Sequence, residues 1–136
     1  MKIDLTYADL QYKRSIVYII FKDGAEIGFF EVRELIANAE KLSDYKPYFV
    51  FADATERVAI TPLGKSIAGV KKEAPLCRGT AVVVNSSLLK VAANIFGKFA
   101  RPAFPYKAFT NKIEALEWLY SLQREETLGF ETQRRA

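Results

Sequence analysis

Two groups of polar residues stand where strands are expected to end, and their types and spacing could support chemistry. Asp53 and Glu56 form a close acid pair, and paired carboxylates can transfer protons or hold Mg²⁺. Ser86 and Ser87 stand at a strand-to-helix corner, where free helix N–H groups, helped by Lys90, could hold an anion. A turn acid and a helix-capping serine explain the same residues, and we favour these structural interpretations.

The residue types that are missing restrict the chemistry further. The chain has no histidine, so it lacks the commonest side-chain base and metal ligand. Cys77 is the single cysteine, which excludes an internal disulfide and a thiolate zinc site. Arg78 beside it could activate the thiol, but no base completes a catalytic set, and we expect Cys77 to be a half-buried small residue. We therefore expect a protein that is not an enzyme and that needs no cofactor or metal.

Length and composition indicate one globular domain. The chain has 136 residues, of which 50% are hydrophobic and 26% are charged, an ordinary globular balance. We expect a single domain over residues 1–136, with a core at about 13–122 and a polar, frayed tail at 125–136. No apolar run reaches the roughly 20 residues of a membrane span, and the N-terminus does not resemble a signal peptide. These features predict a cytoplasmic protein.

The net charge of +4 is concentrated in the second half of the chain. Residues 62–136 carry 12 basic and 6 acidic side chains, and nine basic residues but one acid lie between Lys65 and Lys112. Such a segment could contact anionic membrane, nucleic acid or an acidic partner. Because lysines dominate and most nearby aromatics fit a core, a solvated lysine face is favoured and nucleic acid is disfavoured.

Strands are predicted to alternate with helices along the chain. Apolar runs predict strands at 15–21, 47–53, 79–85 and 106–109, and a further short strand within 4–12. Helical periodicity and capping residues predict helices at 30–42, 61–72 and 87–100, and a last helix capped by Thr110. This pattern predicts the α/β class: a mixed sheet of four to five strands with helices mainly on one face.

The helix from Ser87 to Arg101 is more apolar than one sheet requires. On a wheel of about 100° per residue, its apolar side chains span about 200°, whereas a helix on a sheet needs about 100°. The second cover could be the chain itself, a second copy, or an apolar ligand or lipid, and in the ligand case Trp118 could also line the pocket. The residues expected in this interface or ligand site are Leu88, Leu89, Ile95, Phe96, Phe99 and Phe104.

Three stretches resemble a known family. They are 48–64 (YFVFADATERVAITPLG), 81–101 (AVVVNSSLLKVAANIFGKFAR) and 102–119 (PAFPYKAFTNKIEALEWL). Together they resemble bacterial STAS-like small proteins related to the sporulation anti-sigma-factor antagonist (SpoIIAA-like), in the branch grouped with SEC14-like lipid binders. The resemblance covers about residues 13–122 and implies a SpoIIAA-like mixed sheet with helices mainly on one face.

In the anti-sigma-antagonist relatives, a phosphorylated serine at the start of a helix switches binding of a kinase-type partner. The nearest position here is Thr61, but an isoleucine precedes it in place of the acid and Pro62 removes an N–H donor. We therefore expect Thr61 to be a structural N-cap. The residues considered for an anion or phosphate site are Thr61, Ser86, Ser87, Lys90, Lys98 and Arg101.

The sequence thus predicts a non-catalytic STAS-like interaction module that forms a homodimer or other homo-oligomer, or binds another protein, through the helix at 87–101. A small binding protein for an apolar or acyl ligand is the first alternative. Weak electrostatic association with anionic membrane or nucleic acid is the second.

Overall fold

A computed structural model describes residues 2–61, 73–100 and 103–135, with the side chains of 95–100 and 129–135 left out of the description. The described strands are β1 (Lys2–Asp4), β2 (Ala8–Lys13), β3 (Ile16–Phe21), β4 (Ala25–Ile27), β5 (Tyr48–Ala54), β6 (Val58–Ile60), β7 (Cys77–Val84) and β8 (Tyr106–Phe109). The described helices are α1 (Phe29–Leu42), α2 (Ser87–Ala100) and α3 (Lys112–Arg135). Apart from Thr61, the helix predicted at 61–72 lies outside the described residues.

The main sheet has six strands in the order β1-β2-β3-β5-β7-β8. The pairs β1–β2 and β2–β3 are antiparallel, and β3, β5, β7 and β8 run parallel to one another. A separate parallel pair is formed by β4 and β6. The sheet is mixed as predicted, but the expected number of four to five strands is wrong. The predicted segment at 4–12 is divided by a turn, in which Leu5 N donates to Ala8 O at 2.9 Å, and so supplies parts of two strands.

Helices cover both faces of this sheet, which corrects the prediction of helices mainly on one face. Alternate residues of β3 belong to different cores: Val17 packs with α1, whereas Ile16 packs with α3. From α3, Ala115 and Leu119 have no exposed surface. The central strands are apolar at nearly every position, as expected for strands that are covered on both sides. Gly79 leaves room for α3, because a Cβ there would lie 2.9 Å from Leu122 Cδ1.

Two tight connections hold residues other than glycine in the left-handed region. Arg14 and Ser15, with φ of 54° and 65°, form the two-residue turn between β2 and β3. Asp44 and Tyr45, with φ of 56° and 59°, follow α1, and Tyr45 N donates to Glu40 O at 2.8 Å. Side chains with a Cβ are disfavoured in this region, so both connections carry strain that glycine would relieve.

Side-chain caps fix the starts of α2 and α3. Ser86 Oγ accepts from Leu89 N at 3.2 Å, and Asn111 Oδ1 accepts from Ile113 N at 2.8 Å. The prediction of Thr110 as the cap of the last helix is therefore wrong by one residue. Helix α3 also continues to Arg135, so residues 125–135 of the expected frayed tail are helical.

Candidate functional site

A cavity of about 740 Å³ lies between α1 and α2, above β5 and β7. We call it the α1–α2 cavity. Pockets of about 300–1,000 Å³ accommodate small molecules in proteins, so its size suits a ligand. Its lining is mostly aliphatic, with residues from the sheet, from α1 and from α2; among them are Ala52, Val82, Val32, Leu35, Leu89 and Ala92.

The sheet register arranges the cavity floor in rows that change from polar to apolar. At the amino end of the parallel strands, Tyr48 is paired with Cys77, and Thr80 with Tyr106. Towards the carboxyl end, the pairs are Ala52 with Val82 and Ala54 with Val84; all eight residues line the cavity. The floor therefore has hydroxyl and thiol groups at its amino end and apolar side chains beyond them.

The two tyrosines at the amino end have no hydrogen-bond partner among the described residues. Tyr48 is 1% exposed and Tyr106 is half-buried. Burial raises the pKa of both hydroxyls above the ordinary value, so they are neutral donors at pH 7. Tyr7, which is also half-buried, donates its hydroxyl hydrogen to Glu34. Among the described residues, no buried side-chain nitrogen or oxygen lacks a partner, so these two hydroxyls are not sealed from solvent.

Charged and exposed residues stand at the opposite, carboxyl end. Glu56, Arg57 and Asn85 line the cavity there and are exposed. Arg57 donates to both carboxylate oxygens of Asp23 at 2.9 Å, and Asn85 Nδ2 donates to Thr55 O at 2.9 Å. The carboxyl end of the cavity is therefore polar and charged, and the described residues that line its amino end are neutral.

Asn94 holds the α2 wall against the sheet. Its Oδ1 accepts from Ala108 N at 2.8 Å, and its Nδ2 donates to Ala108 O at 3.3 Å. Strand β8 is the outermost strand, so the asparagine amide satisfies backbone groups that a further strand would otherwise bind. Asn94 therefore faces the edge of the sheet rather than solvent.

The residues predicted for an interface or apolar site are found in three settings. Leu88 is 79% exposed, Leu89 is 49% exposed and lines the cavity, and Phe104 lines the cavity and is half-buried. The side chains of Ile95, Phe96 and Phe99 lie outside the described residues. Trp118 is on the other face of the sheet, 5.8 Å from Phe109 between ring centroids, so its predicted place in a pocket with Phe104 is wrong.

The residues considered for an anion site lie on different elements. Thr61 N donates to Ile27 O at 2.9 Å, beside the start of α1, whereas Ser86 caps α2 and Ser87 is its first residue. Lys90 is half-buried on α2. The positions of the Lys98 side chain and of Arg101 lie outside the described residues. In the described part of the chain, these residues do not gather around one point.

The acid pair also separates. Asp53 is buried and accepts from Thr55 Oγ1 at 2.6 Å and from Lys112 Nζ at 3.0 Å, whereas Glu56 lies at the cavity mouth. Burial raises the pKa of Asp53, but the bonds from Thr55 and Lys112 outweigh burial and hold that pKa below its ordinary value. Asp53 thus stabilises a loop and the start of α3. Among the described residues, no group of three acidic or cysteine side chains could hold a metal ion.

Cys77 is buried at the base of the cavity. Burial raises the pKa of its thiol, and Arg78 does not reverse that effect. The thiol lies 3.5 Å from Thr80 Oγ1. These observations agree with the expected role of a small packing residue.

Sequence reasoning missed Tyr48 and Tyr106 as site residues. Each is the first residue of a parallel strand, and each was assigned to an ordinary apolar run. The available signal was a tyrosine at the amino end of each of the two strands that neighbour β7.

Among the described residues, no helix combines the length and the apolar character that crossing a bilayer demands.

Comparisons with known proteins agree with this architecture. Residues 10–123 match the family described as Domain of unknown function (DUF7793). A crystal structure of an uncharacterized DUF3478-family protein from Shewanella loihica PV-4, with a SpoIIAA-like fold, is similar to this chain. The TM-score is 0.57 at 17% sequence identity, over 88% of this chain and 98% of that chain. No curated protein matches the sequence. The chain therefore belongs to the DUF7793 family and has a SpoIIAA-like fold.

Proposed function

We propose that this chain is a non-catalytic SpoIIAA-like binding domain that holds a small apolar ligand in the α1–α2 cavity. The observation that carries the proposal is the cavity itself, which combines a volume of about 740 Å³ with an aliphatic lining. Removing apolar ligand surface from water contributes about 25 cal/mol per Å². A ligand of acyl-chain character would gain most of its binding free energy in this way.

The position of the cavity supports the proposal further. It lies on the α1 face of the sheet, and its exposed residues are at the carboxyl ends of the parallel strands, where α/β proteins commonly bind ligands. Its α2 wall contributes Leu89, which is half exposed although it is aliphatic. A ligand in the cavity would cover this side chain and would account for part of the apolar excess of α2.

The test measures binding of N-phenyl-1-naphthylamine, a neutral apolar probe whose fluorescence rises when it leaves water. Ala92 is exposed on α2 and lines the cavity, so Ala92→Phe places a ring in the cavity mouth. Ala37 is exposed on α1 away from the cavity, and Ala37→Phe is the matched control. We expect one saturable site in the native chain, affinity lowered about tenfold in A92F, which is about 1.4 kcal/mol, and native affinity in A37F.

Two results would contradict the proposed function. One is the lack of saturable probe binding by the native chain. The other is an equal effect of both phenylalanine variants, which would place the probe outside the cavity. Native mass spectrometry adds an independent measurement, because a ligand retained through purification appears as a defined mass increment on the native chain.

Self-association is a second candidate function, favoured by the outer side of α2. Leu88 is 79% exposed and Val91 is 55% exposed. They occupy the part of the apolar arc that does not line the cavity, and a second copy related by a two-fold axis would bury both on each chain. Light scattering tests self-association by measuring the mass of the particle in solution. We expect the double variant L88E/V91E to have half the mass of a native dimer. Leu128 on α3 is 61% exposed, and the control variant Leu128→Glu should keep the native mass. A monomeric native chain would exclude self-association.

Electrostatic association with anionic membrane or nucleic acid is less favoured, because two of the described cations of the basic segment are already paired with acids. Lys112 pairs with Asp53 at 3.0 Å, and Arg78 pairs with Glu126 at 3.4 Å. The expected cytoplasmic location stays a prediction.

A further inference from the structure

The two edges of the main sheet differ in how they are covered. At the β8 edge, the Asn94 side chain bonds both the N–H and the C=O of Ala108. At the other edge, β1 is the outermost strand, and no described strand lies beyond it. An uncovered edge presents N–H and C=O groups that can bind a strand of another chain. The β1 edge is therefore the place where this sheet can be extended.

The β1–β2 ladder fixes which backbone groups of β1 face outwards. Leu5 N donates to Ala8 O at 2.9 Å, so these two residues are a hydrogen-bonded pair directly after the pairs of β1 with β2. Hydrogen-bonded and non-hydrogen-bonded pairs alternate along an antiparallel ladder, so the next residue bonded to β2 is Ile3. Lys2 and Asp4, which flank Ile3, therefore direct their N–H and C=O groups away from β2 and towards an added strand.

The charges of these two outward-facing residues select one partner and one register. An antiparallel pair of β1 strands can place Lys2 opposite Lys2, Asp4 opposite Asp4, or Lys2 opposite Asp4. Like charges directly opposite each other are destabilising, whereas opposite charges stabilise a strand pair. The third arrangement is centred on Ile3 and places opposite charges at both positions. Asp4 Oδ1 accepts from Lys22 Nζ at 2.6 Å, and the second carboxylate oxygen can accept from Lys2 of the other copy.

We propose that β1 pairs with β1 of a second copy of this chain in an antiparallel ladder centred on Ile3, so that two six-stranded sheets become continuous across a two-fold axis. Lys2 and Asp4 exchange backbone hydrogen bonds, and the two Ile3 side chains, which are half-buried beside the core on the α1 face, cover each other. This inference goes beyond the ligand-binding proposal and does not depend on it. It also uses a different surface from the outer side of α2, because α2 is held at the β8 edge.

Disulfide cross-linking tests the register. In this ladder the two Ile3 Cα atoms form a non-hydrogen-bonded pair about 4.5 Å apart, which a disulfide can span. The two Lys2 Cα atoms are more than about 8 Å apart, because each Lys2 is opposite Asp4 and two residues along the strand from the other Lys2. We expect I3C to form a linked dimer at least about tenfold faster than the control K2C during mild oxidation. The native chain should form none, because Cys77 is buried.

A mixture of two variants removes the dependence on replacing Ile3. Equal amounts of K2C and D4C chains should form a linked heterodimer, because residues 2 and 4 are opposite each other, whereas neither chain alone should form a linked dimer. Mass spectrometry identifies the heterodimer, since the two chains differ in mass.

Charge selection is tested in the I3C background. The variants K2E/I3C and D4K/I3C each place like charges opposite each other and should cross-link about tenfold more slowly than I3C. Their equal mixture restores opposite charges at both positions and should regain the I3C rate, which also shows that both variants are folded.

Three results would overturn the inference. One is an I3C cross-linking rate no higher than that of K2C, and another is the lack of a heterodimer from K2C with D4C. The third is a mixture of K2E/I3C with D4K/I3C that cross-links as slowly as either variant alone. None of these results bears on ligand binding, because no residue of β1 lines the α1–α2 cavity.

Discussion

The bond pair between Asn94 and strand β8 yields a stability prediction. The substitution Asn94→Leu keeps the approximate size of the side chain but removes the partners of Ala108 N and Ala108 O, at 2.8 and 3.3 Å. Ala108 has no exposed surface, so water does not readily replace the amide. Each lost bond costs about 0.5–1.5 kcal/mol and more when the remaining group is buried, which gives a destabilisation of about 2–3 kcal/mol for the two together.

The control for this prediction is Asn38→Leu on α1. Asn38 Nδ2 makes one exposed bond, to Glu34 O at 2.9 Å, and the same exchange of residue types cancels the change in helix propensity. Urea unfolding followed by circular dichroism measures both free energies of unfolding. We expect N38L to lie within about 0.5 kcal/mol of the native chain. If N94L is destabilised no more than N38L, the bonds to β8 do not hold α2, and the account of the cavity wall is wrong.

Three further predictions concern strained turns and acid stability. Ser15→Gly should raise the free energy of unfolding by about 1 kcal/mol, because glycine relieves the positive φ of 65°; an unchanged urea midpoint would contradict this. Tyr45→Gly, at a φ of 59°, should raise the free energy of unfolding by a similar amount. A lower free energy of unfolding would contradict this, because the Tyr45 side chain would then contribute more stability than its backbone strain removes. The third concerns Asp53, whose pKa lies below its ordinary value of about 4 because bonds from Thr55 and Lys112 outweigh burial. Its contribution is therefore complete above pH of about 4 and is lost as the pH falls through the lower folded-state value. The stability difference between the native chain and D53N should shrink on acidification below pH 4, and a difference that is constant down to pH 2 would refute the assignment.

The local elements were predictable because their signals lie within a few residues. Apolar runs located strands such as Ile16–Phe21, and the capping serine before the helix at 87–100 located the start of α2. The turn that divides the first predicted strand was missed because the segment at 4–12 has no glycine or proline to mark it. Threonine and asparagine are both good capping residues, so the sequence did not show that Asn111 rather than Thr110 caps α3. Only the backbone path distinguishes the two.

Side-chain partners were harder to predict because they depend on which strands become neighbours. Asp53 and Lys112 are 59 positions apart in the sequence, and they meet because β5 ends close to the start of α3. Asn94 pairs with β8, and this partner follows from the position of β8 at the edge of the sheet.

The sequence by itself determined the α/β class and the apolar excess of the helix at 87–101, because composition and periodicity are properties of neighbouring residues. The SpoIIAA-like fold was implied separately, by the resemblance of three stretches to that family. Only the tertiary structure decided that α3 covers the second face, that Trp118 lies there, and that Tyr48 and Tyr106 share one cavity. Strand order and register bring residues from distant parts of the chain together, and no local pattern encodes that order.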